Sequence, residues 1–408
     1  MTEHELANTL GALPHAQPRV VASGNFATPR RLLSVLDATV ESYRLFVLNA
    51  QGDLPRRPDV VFETPFVGPG MRDDPAIDYL PMRLSMVPIL FARARPPDVV
   101  LLNTSAPRSG RVSLGTEVNI LPAAIEAVRR RGGTVVAQLN RAMPYTFGDA
   151  ELDLDVVDLG FEAEEALASP TVHRPDDLTA GIGQMVAGFV VDGSTVQLGI
   201  GQIPDATAHS IGDRRRLGVW SEMVSDGVLA LERAGALDPD RPITASFFFG
   251  SAELYAWADA NPRLAMRRTE TVNDPTQIAR MPAMTSVNTA LQVDLFAQAN
   301  ASYVGPRLYS GFGGQTDFIV GALHSPGGHA VVALPSWHAK SATSTVVPLI
   351  GGPVTSFQQS AIVTEQGCAH LFGRSQRAQA RLLIEEAAHP AARDELWAAA
   401  GRLGLTSR

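Results

Sequence analysis

Two segments of this chain carry residue types that could perform acyl transfer. Glu222 follows a short apolar run and precedes an acidic turn that ends in glycine. Farther along the chain, the segment 311–318 contains the pair Gly313 and Gly314. A carboxylate can attack a thioester carbonyl, and glycine can turn backbone N–H groups toward the oxyanion that develops. A carboxylate such as that of Glu222 and a glycine pair such as Gly313 and Gly314 are together what acyl transfer from a thioester to a carboxylate needs.

Two other glutamates compete for the nucleophile's role. Glu365 lies in a Val-Thr-Glu-Gln-Gly stretch, and Glu117 follows a Gly-Thr pair. We interpret each of them as a structural carboxylate. Paired glycines alone are typical of turns, so the prediction depends on Glu222 and the glycine pair together.

A second glycine-bearing segment predicts a binding loop. The apolar run 195–198 is typical of a buried strand, and 205–211 has a helical pattern, with Gly199 and Gly201 between them. Such a loop directs amides and a helix N-terminus at an anionic ligand. It lacks the full dinucleotide-binding pattern, and Pro204 stands where that fold needs close helix packing.

Strand and helix patterns alternate along the chain. This alternation predicts an α/β fold in which helices cover parallel sheets. The predicted strands are 45–48, 98–102, 134–139 and 195–198, and the predicted helices are 122–131, 178–191 and 205–211.

Length and composition limit the protein classes that remain. A chain of 408 residues is too long for one ordinary core, so we expect two domains. The charged, proline-bearing stretch 168–177 predicts their boundary, with an N-terminal α/β domain at 1–175 and a C-terminal α/β domain with the catalytic glutamate at 176–408. The formal net charge of −8 argues against a nucleic-acid binder.

Other residue types predict the compartment and the absence of a metal. Cys368 is the single cysteine, so no intrachain disulfide can form, which is typical of the reducing cytoplasm. No apolar run approaches the ~20 residues of a membrane span. The nine histidines show no metal-ligand spacing. We therefore expect a cytoplasmic protein with no membrane segment and no metal.

Taken in order, the motifs resemble the acetyl-CoA hydrolase/transferase family, which includes 4-hydroxybutyrate, butyrate and succinate–acetate CoA-transferases. The resemblance covers nearly the whole chain. It implies two open, parallel-sheet α/β domains with the active site between them, and a homodimer. The segments that carry it are 66–72, 105–115, 197–204, 217–227, 288–295, 313–318, 334–336, 363–367 and 388–390.

The resemblance also implies the reaction and the substrate contacts. Glu222 would attack an acyl-CoA, form an acyl-glutamyl anhydride and then a glutamyl-CoA thioester, and pass CoA to a short carboxylic acid. A backbone N–H of Gly314, with its neighbour Gly313, would donate to the oxyanion at each step. Coenzyme A enters as the acyl-CoA substrate. The positions that match the family's CoA contacts are Gly199, Ile200, Gly201, Gln202, Ile203, Leu291 and Lys340.

Three positions depart from the family pattern and leave the acyl group open. Asn25 stands in a loop where the family often has Gly-His or Gly-Gly, Trp220 replaces a common His or Tyr, and Gln366 replaces a tyrosine. The leading interpretation is a CoA-transferase. An acyl-CoA hydrolase on the same site is the alternative, and a catalytically silent ligand-binding protein is a third.

Overall fold

The computed structural model describes residues 2–13, 15–52, 54–75, 77–170, 175–354 and 358–406. The chain forms two compact units. The first comprises Met1–Thr171 and Ile243–Val272, and the second comprises Val172–Pro242 and Asn273–Arg408. Of the predicted boundary stretch, residues 171–174 lie outside the described residues. The functional division into 1–175 and 176–408 stays a prediction.

The first unit contains nine strands and four helices in the part of 1–170 that the structure describes. These are α1 Glu3–Gly11, β1 Arg19–Ala22, α2 Arg30–Thr39, β2 Tyr43–Val47, β3 Val60–Thr64, β4 Ile77–Tyr79, α3 Val87–Arg93, β5 Val99–Ser105, β6 Arg111–Ser113, α4 Leu121–Arg130, β7 Thr134–Asn140, β8 Glu151–Asp153 and β9 Leu159–Ala163.

Seven of these strands form one sheet in the order β4-β3-β2-β1-β5-β7-β9. Each neighbouring pair runs parallel, with Val20 opposite Leu45 on one side and Val99 on the other. Strand β5 is buried along its whole length, which explains its continuous apolar run.

The second unit begins with a strand–helix succession that leads to Glu222. Its elements up to Pro242 are α5 Asp177–Ala187, β10 Thr195–Leu198, α6 Gln202–Ser210, β11 Gly218–Trp220, β12 Met223–Val224 and α7 Asp226–Arg233. The chain then contributes to the first unit β13 Ile243–Ala245, β14 Phe247–Phe248, α8 Ala252–Ala258, β15 Leu264–Met266 and α9 Thr269–Val272.

The rest of the second unit completes its sheet. Its elements are α10 Pro275–Ile278, β16 Thr285–Thr289, β17 Gln292–Asp294, β18 Ala299–Asn300, β19 Tyr303–Val304, β20 Arg307–Leu308, α11 Gln315–His324, β21 His329–Ala333, β22 Trp337–His338, β23 Thr343–Ser344, β24 Val346–Val347, β25 Ala361–Thr364, β26 Gly367–His370, α12 Gln376–Leu382 and α13 Arg393–Arg402. Strands β11-β10-β16-β21-β25-β26 lie in that order, all parallel except the last pair.

The predicted α/β class with parallel sheets is confirmed, whereas two predicted helix limits are wrong. Helix α5 ends at Ala187 rather than at residue 191, because Gly188 forms its C-cap and glycine is a weak helix former. Helix α6 begins at Gln202 rather than at residue 205. Pro204 falls in its first turn, where a missing N–H breaks no helical hydrogen bond.

In the part of the chain that the structure describes, no helix is long and apolar enough to cross a membrane. Within those same residues, no group of three or more His, Cys, Asp or Glu side chains could hold a metal ion.

Candidate active site

Glu222 lies in the tight turn between β11 and β12. Strand β11 pairs in parallel with β10, and the turn is tied to the end of that strand. The buried Ser221 hydroxyl donates to the Leu198 carbonyl at 3.4 Å and accepts from the Met223 N–H at 3.3 Å. This short linkage fixes the backbone on both sides of Glu222.

Asn273 forms a hydrogen bond with the Glu222 carboxylate. Its Nδ2 donates to Glu222 Oε2 at 2.8 Å, and the Asn273 side chain is fully buried. Asn273 comes just before helix α10, whose N-cap is Asp274. Sequence reasoning missed this residue, because nothing in its local pattern distinguishes it from an ordinary residue before a helix.

Gly314 packs directly against the same carboxylate. It forms the N-cap of α11, and a Cβ atom built on it would collide with Glu222 Oε2 and Asn273 Nδ2 and lie 3.0 Å from Glu222 Cδ. The preceding Gly313 has a φ of +57°, a conformation that side chains with a Cβ rarely adopt. Packing therefore requires glycine at position 314 and the backbone conformation favours it at 313, and the N-terminus of α11 lies beside Glu222.

The surroundings of Glu222 disfavour its charge. The residue keeps partial solvent exposure, but protein atoms enclose the carboxyl group. Burial raises the pKa of Glu222 to about 7, Asp317 adds a repulsive negative charge, and the Asn273 hydrogen bond acts in the opposite direction. A carboxyl group poised near neutral pH is a recurring feature of functional sites.

The rival Glu365 has a different environment. Its carboxylate accepts from the Ser336 N–H at 2.8 Å, from the Ser336 hydroxyl, and from Gln366 Nε2 at 3.2 Å. Burial alone would raise the pKa of Glu365, but the hydrogen bonds from Ser336 outweigh it and hold the pKa below its usual value. This carboxylate is ionised and hydrogen-bonded, as expected for a structural group.

The other rival, Glu117, belongs to a buried polar chain in the first unit. Asn25 Nδ2 donates to Glu117 Oε2 at 2.6 Å, and Asn49 Nδ2 donates to Asn25 Oδ1 at 2.7 Å. All three side chains are buried, and both asparagines have positive φ. Asn25, which departs from the family pattern, thus orients a carboxylate through an amide.

The predicted CoA loop connects β10 to α6. Gly201 has a φ of +125° and leaves open space where a Cβ would lie, and Ile200 is 40% exposed although it is apolar. Gly201, Gln202 and Ile200 are exposed, Gly199 is partly buried and Ile203 is buried. An exposed loop with an exposed isoleucine offers both amides and an apolar contact to a ligand.

A buried polar network connects the end of β10, from which this loop departs, to β16. Gln197 Oε1 accepts from Ser286 Oγ at 2.7 Å and from Asn288 Nδ2 at 3.1 Å. The Gly199 N–H donates to the Val287 carbonyl at 3.0 Å. The end of β10 is thereby fixed to β16.

The remaining predicted CoA positions follow other strands of the same sheet. Leu291 comes two residues after β16, and its N–H donates to the Asn300 carbonyl at 2.7 Å. Lys340 is exposed at the tip of the β22–β23 hairpin, beyond the end of β21. Because β10, β11, β16 and β21 run parallel, the segments that follow them leave from one edge of the sheet, where ligands of open α/β sheets bind. Glu222 and the Gly199–Ile203 loop leave from that edge too.

Two further departures from the family pattern lie beside candidate residues. Trp220 is the half-buried last residue of β11, two positions before Glu222. Gln366 donates to Glu365 in the β25–β26 turn. Each departure thus lies within two positions of a candidate glutamate.

Comparison with known proteins agrees with these features. The acetyl-CoA hydrolase/transferase C-terminal domain model matches residues 250–400. The 4-hydroxybutyrate coenzyme A transferase of Clostridium kluyveri is 36% identical over 346 residues, covering 81% of this chain and 80% of that protein. The succinyl-CoA:acetate/propanoyl-CoA:succinate CoA transferase of Fasciola hepatica is 34% identical over 409 residues, covering 93% of this chain and 84% of that protein.

Relatives with another activity and a solved structure match as well. An acetyl-CoA hydrolase of Kluyveromyces lactis is 30% identical over 67% of this chain and 56% of that protein. The crystal structure of 4-hydroxybutyrate CoA-transferase from Porphyromonas gingivalis superposes with a TM-score of 0.82 at 29% identity, covering 99% of this chain and 97% of that one. The fold is that of a CoA-transferase, and the chain belongs to the acetyl-CoA hydrolase/transferase family.

Proposed function

We propose that this protein is a CoA-transferase that moves CoA from an acyl-CoA to a short carboxylic acid, with Glu222 as the nucleophile. The observation that carries the proposal is the Glu222 carboxyl group itself: it is enclosed, has a pKa raised to about 7, and lies against a glycine that leaves room for it. Family membership supports the same conclusion.

The first half of the reaction charges the enzyme with CoA. A Glu222 oxygen attacks the thioester carbonyl carbon, the C–S bond breaks, and the CoA thiolate leaves an acyl-glutamyl anhydride. The thiolate then attacks the glutamyl carbonyl, and the bond to the bridging oxygen breaks. The acyl group departs as its carboxylate, and a glutamyl-CoA thioester remains on Glu222.

The second half reverses these steps with a new acid. The acceptor's carboxylate attacks the glutamyl thioester and releases the thiolate. The thiolate attacks the acyl carbonyl of the new anhydride, which frees Glu222 and the product acyl-CoA. No net proton or oxidant is needed, because every bond broken is replaced by one of the same kind.

Three neighbours of Glu222 would promote this chemistry. Asn273 fixes one carboxylate oxygen, so the other points in a defined direction for attack. The Gly314 N–H at the start of α11, with Gly313 shaping the turn, would donate to the tetrahedral oxyanion, a contact typically worth ~3 kcal/mol in the barrier. Partial desolvation makes the ionised carboxylate a stronger nucleophile than it is in water.

The CoA part of the substrate would bind at the carboxyl edge of the second unit's sheet. We assign the contacts to the loop Gly199, Ile200, Gly201, Gln202 and Ile203, to Leu291, and to Lys340 for a phosphate. The exposure of Ile200 and Lys340 supports this assignment. Binding energy from this remote part of the substrate can be used to accelerate the reaction.

Borohydride trapping tests the covalent intermediate. After incubation with acyl-CoA and no acceptor, borohydride should reduce the glutamyl-CoA thioester to an alcohol. The peptide that contains Glu222 would then lose about 14 Da, since one oxygen is replaced by two hydrogens. An active sample with no modified Glu222 peptide would contradict the mechanism.

Acyl-CoA hydrolysis is the second candidate, because relatives named acetyl-CoA hydrolase match this chain. Water would then intercept the anhydride or the glutamyl thioester. An acyl-CoA assay with and without acetate distinguishes the two reactions. Consumption of acyl-CoA that requires acetate supports transfer, and CoA release without any acceptor supports hydrolysis.

We further propose that the enzyme is a cytoplasmic homodimer whose 1–175 and 176–408 portions act as the two functional domains. A single cysteine in 408 residues supports a reducing compartment. Light scattering of the purified protein tests the dimer directly.

A further inference from the structure

Helix α11 carries a buried carboxyl group that the reaction steps above do not use. Asp317 is 1% exposed and lies in the first turn of the helix, three residues after the N-cap Gly314. Gly314 itself has helix-like backbone angles, with φ −96° and ψ −1°. Residues three apart on a helix are neighbours, so positions 314 and 317 lie on the same face. Burying a carboxylate costs free energy, and the place of Asp317 in the fold therefore calls for a reason.

The face that Gly314 and Asp317 share is turned toward Glu222. A Cβ atom built on Gly314 would collide with Glu222 Oε2. Because Cα–Cβ bonds tilt toward the N-terminus of a helix, the Asp317 side chain extends back toward that contact. The electrostatics agree with this placement: burial is the largest cause of the raised pKa of Glu222, and the negative charge of Asp317 raises it further.

Another neighbour of Glu222 acts in the opposite sense. Asn273 Nδ2 donates to Glu222 Oε2 at 2.8 Å, which stabilises the ionised carboxylate and lowers its pKa. Among the described residues, Asp317 is the titratable group that faces Glu222, and Asn273 is its neutral side-chain donor. The carboxylate is therefore oriented by an amide and destabilised by a charge.

The repulsion from Asp317 operates only while Glu222 is ionised. In the proposed reaction the free enzyme has a carboxylate at this position, whereas the anhydride and the glutamyl-CoA thioester are uncharged there. A nearby negative charge raises the free energy of the carboxylate state and has little effect on the other two, and the effect is strongest where water is excluded.

Resting on the proposed function, we propose that Asp317 is a positioning residue whose charge acts through Glu222 and shifts the enzyme toward its glutamyl-CoA thioester. The exchange is balanced. The C–S bond of the acyl-CoA breaks and the C–S bond of the enzyme thioester forms, while the ionised Glu222 is replaced by the ionised acid that is released. Destabilising one of these two carboxylates by a fixed charge therefore moves the equilibrium.

The test measures the equilibrium between free and thioester-loaded enzyme. Wild-type and D317N proteins are incubated at pH 8 with fixed ratios of acetyl-CoA to acetate, and intact-protein mass spectrometry gives the fraction that carries CoA. D317N keeps the size of the side chain and removes its charge. We expect the ratio of thioester to free enzyme to fall about ten-fold, which corresponds to one pKa unit at Glu222. The acid limb of kcat/KM should move to lower pH by about one unit, because both measurements report the same interaction.

Control variants separate the charge from the fold. The Asp238 N–H donates to the Leu217 carbonyl at 2.8 Å, beside the amino end of β11, whereas Glu222 follows the carboxyl end of that strand. D238N, which also removes a buried aspartate charge, should leave the thioester ratio unchanged even where it lowers Tm. D317S should repeat the result of D317N with a smaller uncharged side chain. D317E retains the charge and should keep the ratio within a few-fold of the wild-type value.

The outcomes distinguish this proposal from the proposed function. Wild-type thioester ratios in folded D317N and D317S would overturn it. A lower ratio with an unmoved pH limb would also overturn it, since that result indicates a displaced Glu222. Folding only when residue 317 is charged would make Asp317 a structural residue and contradict the proposal as well. Absence of the thioester in the wild-type enzyme would instead contradict the proposed mechanism.

Discussion

Glu222 and Glu365 occupy similar places in the second unit and have opposite chemical properties. Each lies in a turn just after a parallel strand, and each is partly buried. Burial opposes ionisation in both. For Glu365, Ser336 and Gln366 donate enough hydrogen bonds to lower the pKa. For Glu222, burial dominates and Asp317 adds repulsion, so the pKa rises to about 7 in spite of the hydrogen bond from Asn273.

The more completely enclosed carboxyl group, with Asn273 as its side-chain donor, thus has a raised pKa, whereas the less buried one, with several donors, has a lowered pKa. Ionised Glu365 is stabilised by donors that a covalent adduct would have to displace. Ionised Glu222 is less stabilised, so forming a bond to carbon costs less. In the proposed mechanism, the N–H of Gly314, which packs against the Glu222 carboxylate, would donate to the oxyanion.

Removing each carboxylate should give the largest contrast. We expect E222A to lower kcat by about four orders of magnitude or more, because the covalent route disappears. We expect E365A to lower kcat much less, since it removes a structural hydrogen-bond acceptor. Steady-state transfer assays with circular dichroism as a folding control measure both. If E222A kept more than a few per cent of wild-type activity, Glu222 would not be the nucleophile and Glu365 would become the candidate.

The substitution G314A, which adds one methyl group, should cause the second-largest loss of activity. In G314A the new carbon would displace the Glu222 carboxylate and the Asn273 amide. We expect kcat to fall about a hundred-fold or more, from misplacement of the nucleophile and of the oxyanion donor. Transfer assays and thermal melts would separate lost activity from lost stability.

Gly181 provides the matched control for that substitution. It lies within helix α5, and a Cβ there meets open space. G181A should keep wild-type activity and gain about 0.5–1 kcal/mol of stability, since alanine is the better helix former. If G314A were as harmless as G181A, the packing of Gly314 on Glu222 would have no catalytic meaning.

The pH dependence should report the raised pKa of Glu222. Only the ionised carboxylate attacks, so kcat/KM for acyl-CoA should fall about ten-fold per pH unit below 7 and level off above it. A pH–rate profile measures this limb. N273A should move the limb to higher pH, because the Asn273 hydrogen bond lowers the pKa. A limb below pH 5 would mean that Glu222 has an ordinary pKa.

Ionisation of Glu222, which should raise activity, should lower the free energy of unfolding. The folded pKa exceeds the reference value of 4.5, so the folded state binds more protons between pH 4.5 and about 7. Ionising Glu222 therefore destabilises the fold as pH rises through that window. E222Q should raise Tm at pH 8 and change it little at pH 4.5, and thermal melts at the two pH values test this.

Lys340 should give the smallest effect. Its side chain is exposed at a hairpin tip, whereas the Glu222 carboxyl group is enclosed by protein atoms. K340A should raise the KM for acyl-CoA by roughly ten-fold at low salt, and the change should shrink as ionic strength rises. The KM for the acceptor acid should stay constant. A thousand-fold loss in kcat at unchanged KM would instead give Lys340 a role in the transition state.

The sequence by itself determined the α/β class, because apolar runs of strand length alternate with helical patterns and each pattern depends only on neighbouring residues. It also identified Glu222, Gly313, Gly314 and the Gly199–Ile203 loop as candidates through motif order. The helix limits at Ala187 and Gln202 were missed. Gly188 is present in the sequence as a stop signal for the first helix, whereas the start at Gln202 depends on the backbone conformation of Gly201.

Only the tertiary structure decided how the candidate glutamates differ. Burial raises the pKa of Glu222, Asn273 lowers it and Asp317 raises it further, and both residues are distant from Glu222 in sequence. Ser336, which is also distant in sequence, lowers the pKa of Glu365 by hydrogen bonding. Desolvation, Coulomb repulsion and hydrogen bonding act through space over a few ångströms, so the charge of a carboxyl group follows from which side chains the fold brings beside it.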